Sequence, residues 1–231
     1  MRMKHFYTAV GRFERRTNAC GQSCPVIILG GKEYMVDLQE MVIWTCLNWR
    51  IVRRDEIAIL YDKACQGNVL VSERSLASCI DRLLTRGLLV SGTGLSDYDA
   101  LYDLLSSLYI IPANGAVPLR LLTFCKLVAF DHVPIAAAKK LLAKDKRTSR
   151  EQQIMQLANQ ALLSSAEIIK CLEKDIKYLP DEESILDKLY DDTDTTSENI
   201  SYLVKTAHCS KAVTIAIANL YLRQQIIFER M

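Results

Sequence analysis

The sequence predicts a mainly α fold with a small β component: a basic arm (1–24), a head that carries the few short strands (25–116), and an all-helical bundle (117–231). Three observations predict it. Half of the 231 residues are hydrophobic and 24% charged, enough apolar side chain for a sizeable core. Apolar residues recur at helical spacing along most of the chain, and strand-like runs are confined to the part before Pro118.

Residues 1–16 carry five Lys and Arg against Glu14 and lead into a small, polar stretch, which reads as a basic arm. Residues 26–29 and 33–36 are strand-like and flank Gly30-Gly31-Lys32, a hairpin signal. Asp37 with Glu40 three positions on is a capping box opening a helix over 37–49, with Leu38, Met41, Val42, Thr45, Cys46 and Trp49 on one face. A second helix over 55–64 stops at Gly67-Asn68. Ser72 is the expected N-cap of a third, with Leu76, Ile80, Leu83 and Leu84 in one stripe and Gly87 at its end. Residues 88–90 leave it as a strand, and Ser91-Gly92-Thr93-Gly94 reads as a turn. A helix over 97–108 and a strand over 109–112 follow.

Beyond Pro118 the pattern is helical throughout: 119–130, 134–142, 149–178 with a break near Ser164, 183–190, 196–206 and 211–229. The acidic run 181–198 is a solvated connection, and no internal repeat is evident. Ile154, Leu157, Ala158, Ala161, Leu162, Ile168, Ile169 and Leu172 make an apolar stripe.

Charge and chemistry exclude several function classes. No apolar run reaches the about 18 residues that a bilayer crossing requires, so no membrane association is expected. The N-terminus lacks the apolar core of a secretory signal, pointing to the cytoplasm. The eight cysteines then read as reduced thiols, and Cys20 and Cys24 alone make a poor metal site, so no metal or cofactor is expected. No catalytic or phosphate-binding motif occurs, and His208 and Cys209, adjacent on a helix, point about 100° apart, so the chain is not expected to be an enzyme. The net charge of +2 means that any nucleic-acid binding comes from local charge: residues 1–95 hold 13 Lys and Arg against 9 Asp and Glu. A second basic cluster, Lys139, Lys140, Lys144, Lys146, Arg147 and Arg150, reads as a solvated helix end.

The order of three helices followed at once by a strand, with the run Ser72-Glu-Arg-Ser-Leu-Ala-Ser-Cys-Ile-Asp-Arg-Leu-Leu-Thr-Arg-Gly87-Leu-Leu-Val, resembles the recognition helix and first wing strand of bacterial winged helix-turn-helix proteins over residues 37–112. The resemblance implies a fold of a winged-helix domain followed by a helical bundle, with the helix of residues 72–86 in the major groove of double-stranded DNA. Arg74, Ser75, Ser78, Arg82 and Arg86 would face the DNA, with Arg53 and Arg54 as further contacts. The helical segment 97–108 departs from the usual prompt return of the wing. The expected function is a sequence-specific transcriptional regulator acting as a homodimer, paired through the Ile154 to Leu172 stripe or the C-terminal helix, with a protein or small-molecule effector at the C-terminal domain. The alternative is an adaptor or assembly protein whose winged helix docks another protein.

Overall fold

The computed structural model describes residues 3–17, 21, 23–66, 74–113, 147–191 and 194–230. Strands β1 (Lys4–Ala9), β2 (Arg12–Thr17), β3 (Ser23–Leu29) and β4 (Lys32–Met35) precede helices α1 (Leu38–Leu47), α2 (Arg54–Cys65) and α3 (Leu76–Thr85). Strand β5 (Leu89–Gly94), helix α4 (Asp97–Leu105) and strand β6 (Tyr109–Pro112) lead to α5 (Ser149–Gln160), β7 (Leu163–Ser164) and α6 (Ser165–Glu173). Then come α7 (Glu182–Leu189), α8 (Ile200–Leu203) with a 3₁₀ turn (Val204–Thr206), α9 (Ser210–Leu222) and β8 (Ile226–Glu229).

This corrects the expected fold class. A winged-helix head followed by an all-helical bundle does not describe the chain: strands dominate its N-terminal region, and its strands form three small antiparallel sheets, β1-β5, β2-β3-β4 and β7-β6-β8. The segment expected as a basic arm supplies β1 and β2. The strand after α3 does not fold back on a following wing strand; its partner is β1, from the start of the chain. Strands also occur beyond Pro118, at β7 and β8, where periodicity predicts only helix. The helical candidates at 119–130 and 134–142 lie outside the described residues.

Local chemistry explains most elements. The Asp37 side chain accepts from the Glu40 N–H at 2.9 Å and Glu40 reaches back, the capping box predicted for α1. Gly30 and Gly31, both at positive φ, make the two-residue turn that pairs Leu29 with Lys32. Ser91 to Gly94, expected as a turn, continue β5 instead. The physical reason is close approach: a Cβ on Gly92 would overlap the Leu104 nitrogen and the Ala100 carbonyl oxygen, so glycine lets this strand lie against the α4 backbone. The helix expected over 149–178 breaks at Ser164, which caps α6 through the Glu167 N–H at 3.2 Å.

The two halves are built alike, a repeat that the sequence does not reveal. In each, a central strand pairs on one side with a long antiparallel neighbour and on the other with a short segment: Tyr7 pairs with Ser91 and bridges Val52, and Ile110 pairs with Phe228 and Leu163. In each, a helix with a capping box precedes the short segment, α1 from Asp37 and α5 from Thr148. The next helix, α2 or α6, starts with a Glu whose carboxylate takes the cap N–H at 2.6 Å, Glu56 to Arg53 and Glu167 to Ser164. The second half has α7, α8 and a 3₁₀ turn inserted after α6, and the helix that follows them, α9, ends as α3 does: Gly87 N–H bonds Leu84 O and Leu88 N–H bonds Leu83 O, while Gln224 N–H bonds Tyr221 O and Gln225 N–H bonds Leu220 O. Gly87 and Gln224 hold the same left-handed position, at φ 72° and 59°. An ion pair on a buried carboxylate also recurs, from the Glu of the first capping box to the Arg closing α3 or α9: Glu40 to Arg86 at 3.0 Å, and Glu151 to Arg223.

The halves share one apolar core, which includes Ile43, Leu47, Ile57, Leu83, Ile154, Ile168, Ile217 and Phe228. Its polar centre is the Tyr221 hydroxyl, which donates to Ala9 O at 3.0 Å and accepts from Trp49 N–H at 2.9 Å. The Thr8 hydroxyl lies 2.8 Å from it and 2.7 Å from Arg50 O. The core includes two thiols. Cys79 and Cys171 are fully buried, and burial pushes the Cys171 thiol up to about 12. In the native protein Cys171 will resist iodoacetamide at pH 8 and react only on unfolding; mass spectrometry of the labelled peptide checks this, and rapid native labelling would contradict the packing around α6.

Candidate nucleic-acid interface

The candidate interface starts from α3. Residues 67–73, with the expected cap Ser72, lie outside the described residues, and the N-cap is Ser75, whose hydroxyl accepts the Ser78 N–H at 3.2 Å. Cys79, Ile80 and Leu83 fix the helix to the core, which leaves Ser75, Ser78, Asp81, Arg82 and Thr85 outward. Periodicity alone predicts this facing, and it is correct for Ser75, Ser78 and Arg82.

The arginines are less free than the sequence suggests. Arg74 precedes the helix and turns back to Asp37. Arg82 Nε lies 2.9 Å from Glu40 Oε1, and Arg86 lies 3.0 Å from Glu40 Oε2 while also donating to Met35 O. Three guanidiniums thus converge on one carboxylate whose side chain is 1% exposed, with Asp37 beside it. Burial alone would raise the Asp37 carboxyl, but the Glu40 N–H and the Arg74 guanidinium hold it below the usual carboxylate range. Arg82 keeps half of its side chain in solvent, whereas Arg86 is three-quarters covered and lies over the Tyr34 ring at 5.8 Å. Arg53 and Arg54 lie at the start of α2, apart from this group. Arg53 is 3.5 Å from Asp97 and over the Phe6 ring; Arg54 is exposed and forms no ion pair among the described residues.

The sequence did not expose what adjoins α3. Its outer face is an open groove of about 670 Å³, and the residues at its end, Thr85 and Arg86, also line a larger cleft of about 1160 Å³. That cleft lies between the β3–β4 turn and β8. Arg12, Lys32, Arg86 and Arg230 border it against a single carboxylate, Glu229. Glu229 is taken up by the Gly30 N–H, and Lys32 and Arg230 form no ion pair among the described residues. Arg12 and Lys32 reach this place because β2 and β4 flank β3, and Arg230 because β8 ends here; only the pairing of strands far apart in sequence brings them together.

Other candidates carry less chemistry. Among the described residues no group of three His, Cys, Asp or Glu could hold a metal ion, and Cys20 lies outside them. His208 is exposed while Cys209 is half-buried, and burial raises its thiol, which disfavours a thiolate nucleophile. Of the second basic cluster only Arg147 and Arg150 are described, and Arg147 is bonded to Gln225. No helix among the described residues is long and apolar enough to cross a membrane. Comparisons with protein family models, curated proteins and solved structures find no match for this chain.

Proposed function

We propose that this protein is a sequence-specific DNA-binding regulator that lays the outer face of α3 against a groove of the duplex. The observation that carries this reading is continuity: an exposed helix face bearing Ser75, Ser78, Arg82 and Thr85 runs without a break into a cleft edged by four cations and one carboxylate. Hydroxyls and a half-exposed guanidinium suit base edges and phosphate oxygens, and the cleft cations suit the continuing backbone. Arg82 reaches outward on this reading; Arg74 and Arg86 brace the helix through Asp37 and Glu40 instead of reading bases.

A second reading has its own support. With Arg74, Arg82 and Arg86 all engaged by carboxylates and Asp81 on the same outer face, α3 is closer to neutral than its sequence suggests, as a protein-docking helix would be. On that reading the chain is an adaptor, and duplex DNA is not its partner.

Fluorescence anisotropy on duplex fragments separates them. Affinity should fall steeply with salt, and Lys32→Ala and Arg230→Ala should each reduce the log-log slope by about one. Ser78→Glu, at an exposed position, should weaken binding at least about tenfold with the melting temperature unchanged. Absence of binding to any duplex at low salt would leave the adaptor reading.

A further inference from the structure

The equivalence of the two halves makes α9 the counterpart of α3. Superposing their closing turns sets Ile80 on Ile217, Leu83 on Leu220 and Arg86 on Arg223, and the inward residues match in burial. Four outward positions then correspond, while the outward Asp81 of α3 has the buried Ala218 as its counterpart, and the chemistry of the four differs. Where α3 shows Ser75, Ser78, Arg82 and Thr85, α9 shows Ala212, Ile215, Asn219 and Leu222. Val213, Thr214, Ala216, Ile217, Ala218, Leu220 and Tyr221 are all buried, so these four residues form the solvent face of α9 together with Lys211, whose ammonium leans aside over the Tyr98 ring at 6.0 Å, and Ile215 is 42% and Leu222 49% exposed.

Their spacing is three, four and three residues, the a and d positions of a heptad seam, which packs against another helix and not against water. Within it Asn219 is the one polar residue, and its amide makes no hydrogen bond among the described residues. An amide in the middle of an apolar seam is best satisfied by the same amide from an identical helix, each donating to the other's oxygen. We infer that α9 pairs with α9 of a second copy of this chain around a two-fold axis beside Asn219. The Ile154 to Leu172 stripe, the other surface that the sequence offers for pairing, is unavailable: Ile154, Leu157, Ile168 and Ile169 are fully buried in the core of one copy.

Size sets the strength. Four seam residues over ten positions span about 15 Å, less than a standard interface of about 800 Å² per partner requires. The dimer should therefore be weak and depend on concentration. This pairing is independent of whether α3 meets DNA, since the two faces belong to different helices.

Sedimentation velocity on the full chain tests the inference, from low micromolar to about 100 μM. A shift from monomer to twice the chain mass is expected, with Ile215→Asp and Leu222→Glu each weakening the dimer at least about tenfold and leaving the far-UV circular dichroism unchanged. Asn219→Leu should tighten association or raise its order, because it removes the polar residue that limits the seam. A monomer throughout the range would overturn the inference and leave the face to some other partner. A dimer that survives both charged variants, or that is indifferent to Asn219→Leu, would overturn it as well, by placing the contact elsewhere.

Discussion

Glu40→Gln will destabilise the protein by about 2–3 kcal/mol, because it withdraws the one buried carboxylate on which Arg74, Arg82 and Arg86 converge. Breaking a fully buried pair costs about 3–5 kcal/mol; the lower figure applies because the three guanidiniums keep a quarter to a half of their side chains in solvent and can rehydrate. Glutamine preserves the volume and part of the capping box, so the loss isolates the charge. The equivalent change in the second half, Glu151→Gln, removes the partner of Arg223 alone and should cost about half as much. Urea denaturation midpoints at unchanged slope measure both. A loss under about 0.5 kcal/mol at Glu40 would mean that the cluster behaves as an ordinary surface ion pair.

Tyr221→Phe should cost about 2–3 kcal/mol, from one oxygen atom. The hydroxyl donates to Ala9 O and accepts from Trp49 N–H, and both groups lose their partner where water has little access. The ring stays, stacked on Phe228 at 4.3 Å between centroids, so apolar packing is preserved and the loss reports hydrogen bonding. Because Tyr221 belongs to the second half and its partners to the first, hydrogen exchange at the Trp49 amide should accelerate in the variant although Trp49 lies 172 residues away in sequence. An unchanged exchange rate would mean that the two halves do not depend on this contact.

What was legible in the sequence was local. The Asp37 to Glu40 capping box, the Gly30-Gly31 turn, the break at Ser164 and the inward stripe of α3 each depend on residues within a few positions of one another, and each is where the pattern puts it. The outward facing of Ser75, Ser78 and Arg82 follows from the same periodicity. What the pattern missed depends on partners. Strand β2, with Arg12, Arg15, Arg16 and Thr17 exposed, carries the charge of an edge strand and so reads as a solvated arm. Strands β7 and β8, two and four residues long, are too short to show a period and merge into the helical runs beside them. Gly92 reads as a turn because what demands a glycine there is the return of α4 against β5, and the periodicity that marks α4 as a helix does not say where its backbone packs.

The candidate interface divides the same way. Sequence by itself determined that α3 is amphipathic, that its outer face carries hydroxyls and arginine, and that cations gather in the first 95 residues. Only the tertiary structure decided that Arg74 and Arg86 turn inward to Asp37 and Glu40, and that Arg12, Lys32 and Arg230 meet at the end of α3. It also decided that α9 repeats α3 with an apolar face. The repeat escapes the sequence because equivalent positions keep a role and not a residue: Asp37 and Thr148 both cap, Trp44 and Met155 both fill core, Gly87 and Gln224 both hold the left-handed turn. Capping and periodicity act through neighbours along the chain. Strand partnership and the destination of a long charged side chain are set by groups that only the fold brings within a few ångströms, where desolvation makes a buried carboxylate bind guanidiniums that water would otherwise hold apart.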